Sequence, residues 1–368
     1  MKAIKNLTQK YHLLKHNYLC HFYSTFKEPF NKGMTRLSPD RQLIEIYGTD
    51  ARKFLQSMIS NNIPQSGPNV GVFAGFLQPQ GRILCDVFIY PVVHNTIWRK
   101  NRGGQYNNDE EAFFIECDSQ SVENLIDHLK RYKLRSKLSL RLVNNEEWNI
   151  WSSWGVDISE SNEKNEIIGC RDYRAPGLGR RDILPGNAKP EFEANEMPPE
   201  SYKIRRYLYG VPEGPNEIFE NIAFPIESCI DYMGGINFYK GCYIGQELTT
   251  RIYHTGVVRK RIVPISLYNS DNSPPSKLEY IPSTKVHMPM KASPIVRQDA
   301  KEKNVGKFCS GIGNIGLGLM RLDSVFIESE KDKKCIINYV DEHNNDCTIG
   351  VKAFQPWWWP PKQISNYC

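Results

Sequence analysis

A stretch rich in glycine, proline and charge, residues 160–199, and a low-complexity, proline-containing patch, residues 269–294, interrupt the apolar patterning of this chain and limit what it can fold into. Glycine and proline weaken or break both helix and strand ladders, so long regular elements are expected outside these stretches. The chain should therefore form several packed units rather than one long repeat. Its 368 residues agree, since that length exceeds what one hydrophobic core usually serves.

Before the first interruption the apolar period switches repeatedly between two and 3.6. Residues 43–48 read as a short strand stopped by Gly48, and Thr49-Asp50 opens a helix with Ala51, Phe54, Leu55, Met58 and Ile59 on one face. Asn61-Asn62-Ile63-Pro64 ends it. Residues 72–77 and 82–90 flank Gln78-Pro79-Gln80-Gly81 as the arms of a hairpin. A strand over 113–117, a helix bearing Val122, Leu125, Ile126, Leu129 and Tyr132, and a strand over 138–142 follow. Within 160–199 the reading is irregular connections around one short strand. A helix is expected near 202–209, and strands dominate beyond Val263, with 335–340 the clearest. The class is α+β, ending in a small β-domain.

The formal charge of +6 invites a nucleic-acid partner, but Lys2, Lys5, Lys10, Lys15 and Lys27 account for five of it and the first 27 residues contain no acid. The remainder is nearly neutral, with charges interleaved rather than striped, which sets nucleic acid aside. That basic stretch places Ile4, Leu7, Tyr11, Leu14 and Tyr18 on one helical face, the character of a mitochondrial presequence, and residues 1–33 are assigned to it. No apolar run approaches the ~20 residues that span a bilayer, so a soluble protein without membrane insertion is expected.

Ten cysteines, at 20, 85, 117, 170, 229, 242, 309, 335, 347 and 368, include no Cys-x-x-Cys pair, which points to separate reduced thiols rather than a disulfide framework. Cys242 stands apart. In Lys240-Gly241-Cys242-Tyr243-Ile244-Gly245-Gln246-Glu247 it lies between glycines that permit a tight turn or the approach of another molecule. Lys240 and Arg251 would favour its thiolate if they lay close, and a thiolate binds iron or attacks electrophiles. Read locally, an exposed activated thiol and a small cysteine buried in a turn both remain open. No second catalytic group is visible beside it.

These residues resemble the signature of the YgfZ-type branch of the glycine-cleavage T-protein family, and with the presequence the chain is similar to its mitochondrial iron-sulfur cluster assembly factors. The resemblance continues through the 43–62 and 78–86 segments, Tyr132-Lys133-Leu134-Arg135-Ser136-Lys137, Gly210-Val211-Pro212-Glu213-Gly214, Phe224-Pro225-Ile226-Glu227, Gly256-Val257-Val258-Arg259-Lys260-Arg261, Gly316-Leu317-Gly318-Leu319-Met320-Arg321 and Pro356-Trp357-Trp358. It implies a ring of three subdomains around a channel: a folate-binding-type unit over residues 36–260 and a β-barrel-like domain over 261–360.

The resemblance further implies late-stage iron-sulfur assembly in the mitochondrial matrix with A-type carrier proteins, supporting [4Fe-4S] protein maturation. Cys242 would ligate a cluster shared transiently with the partner, aided by Lys240, Gly241, Tyr243, Gly245, Gln246, Glu247 and Arg251. No residue is assigned as catalytic. The alternative is a folate-dependent aminomethyl transferase, with tetrahydrofolate near Asp86 and Glu227. Asp86 equally suits a structural pair at a strand end, and Glu227 a helix cap. One departure counts against transfer: Ile204-Arg205-Arg206-Tyr207-Leu208 carries no carboxylate where the transferases have one. Trp357, Trp358 and Trp359 read as an aromatic group folded against the body rather than a stacking platform.

Overall fold

In the computed structural model, the described residues are 31–63, 70–102, 109–155, 168–191, 193–256, 258–284, 286–298, 303–326, 333–340 and 345–360. The presequence assigned to residues 1–33 lies almost wholly outside them. Strands β1 (Gly33–Arg36) and β2 (Arg41–Gly48), helix α1 (Ala51–Met58), strands β3 (Val72–Leu77) and β4 (Ile83–Pro91), helix α2 (Thr96–Asn101), strand β5 (Glu111–Asp118), helix α3 (Val122–Lys133) and strand β6 (Ser139–Leu142) open the fold. Five of these strands form one sheet in the order β3-β4-β5-β2-β6. The expected hairpin is its edge, with Gly75 opposite Asp86 and Gly81 in the left-handed region at φ 77°.

Helix α1 stops at Met58, before the expected terminator, and Asp50 does not cap it. The Asp50 carboxylate instead accepts from Lys137 N at 2.7 Å. Ala51, Phe54, Leu55 and Met58 are buried against the sheet, and Val122, Leu125 and Leu129 of α3 join the same core.

A second sheet, in the order β1-β7-β9-β8, contains β7 (Trp148–Trp154), β8 (Ile168–Arg171) and β9 (Arg180–Pro185). The expectation of one short strand within 160–199 is thus corrected to two paired strands. Their charges hid them: Arg180, Arg181 and Asp182 lie in β9 with almost no exposure. Helix α4 (Pro199–Tyr209) ends on left-handed Gly210, and α5 (Gln246–Thr255) follows the Cys242 motif.

Six strands then close a barrel in the order β10-β13-β12-β11-β14-β15, comprising β10 (Lys260–Asn269), β11 (Pro294–Arg297), β12 (Asn304–Ile312), β13 (Ile315–Arg321), β14 (Cys335–Val340) and β15 (Asp346–Ala353). The short helix α6 (Leu322–Val325) follows β13. One apolar cluster runs from Phe88 and Trp148 of the sheets through Tyr207 into Ile262 and Leu317 of the barrel. The tryptophans fold back onto this seam: Trp358 Nε1 donates to Tyr209 O at 2.8 Å, and Trp359 meets Tyr232 edge-on at 5.3 Å. Among the described residues no helix is long and apolar enough to cross a membrane.

A buried charge network is set among the apolar side chains at the junction of the two sheets. Arg181 has no exposure and pairs with Glu116, Asp172 and Glu213, while Arg41 holds Glu116 at 2.9 Å and Asp86 at 3.4 Å. Arg174 bonds Asp172 and Glu213, both at 2.7 Å. Burial alone would raise the Glu213 carboxyl, but the guanidiniums of Arg181, Arg41, Arg174 and Arg206 outweigh it and hold it well below the usual carboxylate range.

Candidate functional site around Cys242

Local packing fixes the Cys242 loop from both sides. Tyr243 is buried in the large core and Ile244 packs against the α1–α3 core, so consecutive side chains anchor in different clusters. Ile244 N donates to Ser57 O at 3.2 Å, tying the loop to α1. Gln246 turns back so that its Oε1 accepts from Tyr243 N at 3.0 Å. Ahead of the motif, Ser60 Oγ donates to Gly235 O at 2.6 Å, and Asn61 Nδ2 donates to Gly234 O at 2.8 Å.

The two glycines beside the cysteine serve different ends. Gly245 has φ 79° and lies against the hairpin turn; a Cβ there would come within 2.9 Å of Leu77 Cβ and closer still to the Gln78 carbonyl oxygen. Gly81 fits against the Gly245 carbonyl from the other side. This contact excludes any side chain. Around Gly241, by contrast, a Cβ would meet nothing within 4 Å, and its φ does not require glycine.

Lys240 corrects an expectation. Its ammonium does not serve the thiol: Nζ donates to Gln56 O, Ile59 O and Asn61 O at 2.8, 2.7 and 2.7 Å, satisfying carbonyls at and beyond the end of α1. Burial lowers its pKa to about 8. Lys240→Met should therefore cost about 2 kcal/mol in urea unfolding, since charge-assisted bonds contribute about 1.5–3 kcal/mol. Alkylation of Cys242 by iodoacetamide should keep its wild-type rate in that variant; a large fall would restore Lys240 as the thiol's activator.

Glu247 and Arg251 are exposed on α5 and form no ion pair among the described residues. Cys242 itself is exposed, whereas among the other described cysteines Cys347 is half-buried and the rest are buried. Burial pushes the thiols of Cys117, Cys229 and Cys309 up to about 12. Three residues before Cys242, Tyr239 is 94% exposed. Phe238 stacks on Tyr253 of α5 at 3.7 Å, and His254 abuts the same ring at 5.5 Å. In α5 only Thr249 is buried. The sequence reading missed this aromatic rim, although the spacing Phe238, Tyr239, Tyr243 and Tyr253 around the motif could have signalled it.

The chain is 40% identical over 347 residues to the mitochondrial iron-sulfur cluster assembly factor IBA57 homolog of Pyricularia oryzae, covering 89% of this chain and 84% of that one. It is 38% identical over 323 residues to the protein of the same name in Coccidioides immitis, covering 81% and 73%. The chain belongs to the IBA57 family. Residues 259–361 match the family model described as the CAF17 C-terminal beta-barrel domain, in register with the barrel that opens at Lys260. The glycine cleavage system aminomethyltransferase T of Bartonella henselae shares the fold, with a TM-score of 0.59 at 12% identity over 89% of this chain and 86% of that one.

The alternative read from the sequence set tetrahydrofolate near Asp86 and Glu227. Asp86 is buried, accepting from Gly214 N at 2.8 Å through one oxygen and pairing with Arg41 through the other. Glu227 is half-buried in a different place, lining a cavity with Phe224 and Arg259, so the two proposed folate residues are not brought together. Burial, offset in part by Lys260, raises the Glu227 pKa. At α4, Arg206 stands in the segment that lacks the transferases' carboxylate, and Glu217 clamps it at 2.6 and 2.9 Å. In the cavity beside it, about 370 Å³ and walled by Arg41, Tyr202, Arg206, Glu213 and Glu217, Arg206 pairs with both glutamates, Tyr202 donates to Glu213, and Arg41 pairs with Glu116 behind the wall.

Proposed function

We propose that this protein is an assembly factor of late-stage mitochondrial iron-sulfur cluster biogenesis, working in the matrix with A-type carrier proteins to mature [4Fe-4S] enzymes. The assembly function is that of its IBA57 relatives. The observation that carries the proposed role of the site is the exposure of Cys242 on a loop anchored at Lys240, Tyr243 and Gly245, beside open space at Gly241.

A thiol in that position can ligate iron once it has lost its proton, and the rigid anchor means little ordering is needed when a partner arrives. One cysteine cannot complete a cluster, which usually takes four protein ligands. Among the described residues no group of three or more His, Cys, Asp or Glu side chains is arranged to hold a metal ion. The partner therefore supplies the remaining ligands, and the cluster is cargo at the shared surface rather than a resident cofactor. The aromatic rim of Tyr239, Phe238 and Tyr253 suits such a contact, because aromatic side chains give large contact area at low entropic cost.

Anaerobic mixing with a cluster-loaded A-type carrier tests this reading. Wild-type protein should form a mixed complex with altered cluster absorption, and Cys242→Ser should lose the altered absorption and bind the loaded carrier more weakly by about tenfold or more, equivalent to about 1.4 kcal/mol. Identical spectra and association for the two proteins would remove the thiol from this role.

A further inference from the structure

Helix α5 also borders a cavity that the cluster chemistry does not use. About 380 Å³ in volume, it is lined by Phe224, Glu227, Ile252, Arg259, Lys260 and Arg321, together with apolar neighbours. Its charges are poorly matched. Lys260 and Arg321 stand directly opposite each other in the antiparallel β10–β13 pair, an arrangement in which like charges destabilise a sheet. Compensation is thin, because Arg321 Nε is 3.7 Å from Asp323 Oδ1 and, though that atom is buried, it finds no hydrogen-bond partner among the described residues. Arg259 and Lys260 form no ion pair among the described residues.

Three cations against the single carboxylate of Glu227 leave a formal excess of two positive charges in the lining. A phosphate monoester carries about −1.5 to −2 near neutral pH, and a guanidinium fork matches its oxygens. Phe224, Ile226, Ile252 and Val258 supply the apolar part of the lining. Arg82 already lies over the Phe224 ring at 3.8 Å.

We propose that this cavity binds an organic phosphate, with its phosphoryl group among Arg259, Lys260 and Arg321 and its apolar body against Phe224 and Ile252. The ligand would neutralise the facing cations and sit against the helix that carries the Cys242 loop. This inference is independent of the cluster-sharing role of Cys242.

Calorimetric titration of the full chain with 1-naphthyl phosphate, using 1-naphthol and inorganic phosphate as controls, tests it directly. The phosphate ester should bind saturably and each control at least about tenfold more weakly. Arg321→Gln should lose about tenfold in affinity, whereas Glu227→Gln should gain about threefold by removing repulsion of the anion, a gain that misfolding cannot imitate. Lys260→Gln should raise the Tm of the free protein and reduce the further rise caused by the ester. Absence of saturable ester binding, equal binding by Arg321→Gln, or naphthol binding as tight as its phosphate would overturn the proposal.

Discussion

Replacing Arg181 with Met is expected to cost about 3–5 kcal/mol of folding stability, the range measured when one partner is removed from a buried charge group. Arg181 is fully buried, pairs with Glu116, Asp172 and Glu213, and lies over the Phe88 ring at 4.4 Å. Methionine fills comparable space but removes the cation that bridges Glu116 to Asp172 and Glu213, leaving Arg41 on the first and Arg174 on the other two. Urea unfolding should show the loss directly, and the Tm should fall by roughly 5 °C. Adding Glu116→Leu should restore part of it, because contacts within one network are not additive.

The same cluster gives an acid limit with a definite sign. Glu213 is held below its ordinary value of 4.5, so its contribution is present above that pH and is lost as pH falls toward the folded value. In Arg181→Met that loss should begin at higher pH. A variant within about 0.5 kcal/mol of wild type, the usual range for surface substitutions, would show that the network does not hold the sheets together.

Gly245→Ala and Gly241→Ala, four residues apart around the same cysteine, should behave oppositely. At Gly245 the methyl group meets Leu77 and Gln78 in a left-handed backbone, so about 2–4 kcal/mol should be lost, combining conformational strain with overpacking. At Gly241 nothing lies within 4 Å, and stability should stay within about 0.5 kcal/mol of wild type. If the open space admits the carrier, Gly241→Ala should still weaken association. Equal urea midpoints for the two variants would remove the distinction between an internal and an external reason for glycine.

Much of this arrangement was legible in the sequence where one physical pattern acted alone. The β3–β4 hairpin, α3 and β14 follow from periodicity, and Cys242 stood out through its flanking glycines and family resemblance. Strand β9 was hidden because Arg180, Arg181 and Asp182 imitate a solvated turn, and only the acids on distant elements make their burial tolerable. Lys240 was misread for a related reason. Proximity along the chain suggested Cys242 as its partner, whereas its hydrogen bonds go to carbonyls 179 to 184 residues away. Asp86 likewise spends its charge on Arg41.

Those distant Lys240 bonds carry a consequence for the order of folding. Closing so long a loop costs chain entropy before its contacts offset that loss, and high contact order slows the step. During synthesis, α1 and the β3–β4 turn emerge well before Lys240 and Gly245, which must dock onto them. The cysteine loop therefore takes its final form only on a template already folded. A nascent chain carries Cys242 for some time as an ordinary flexible thiol, and docking converts it into a positioned one.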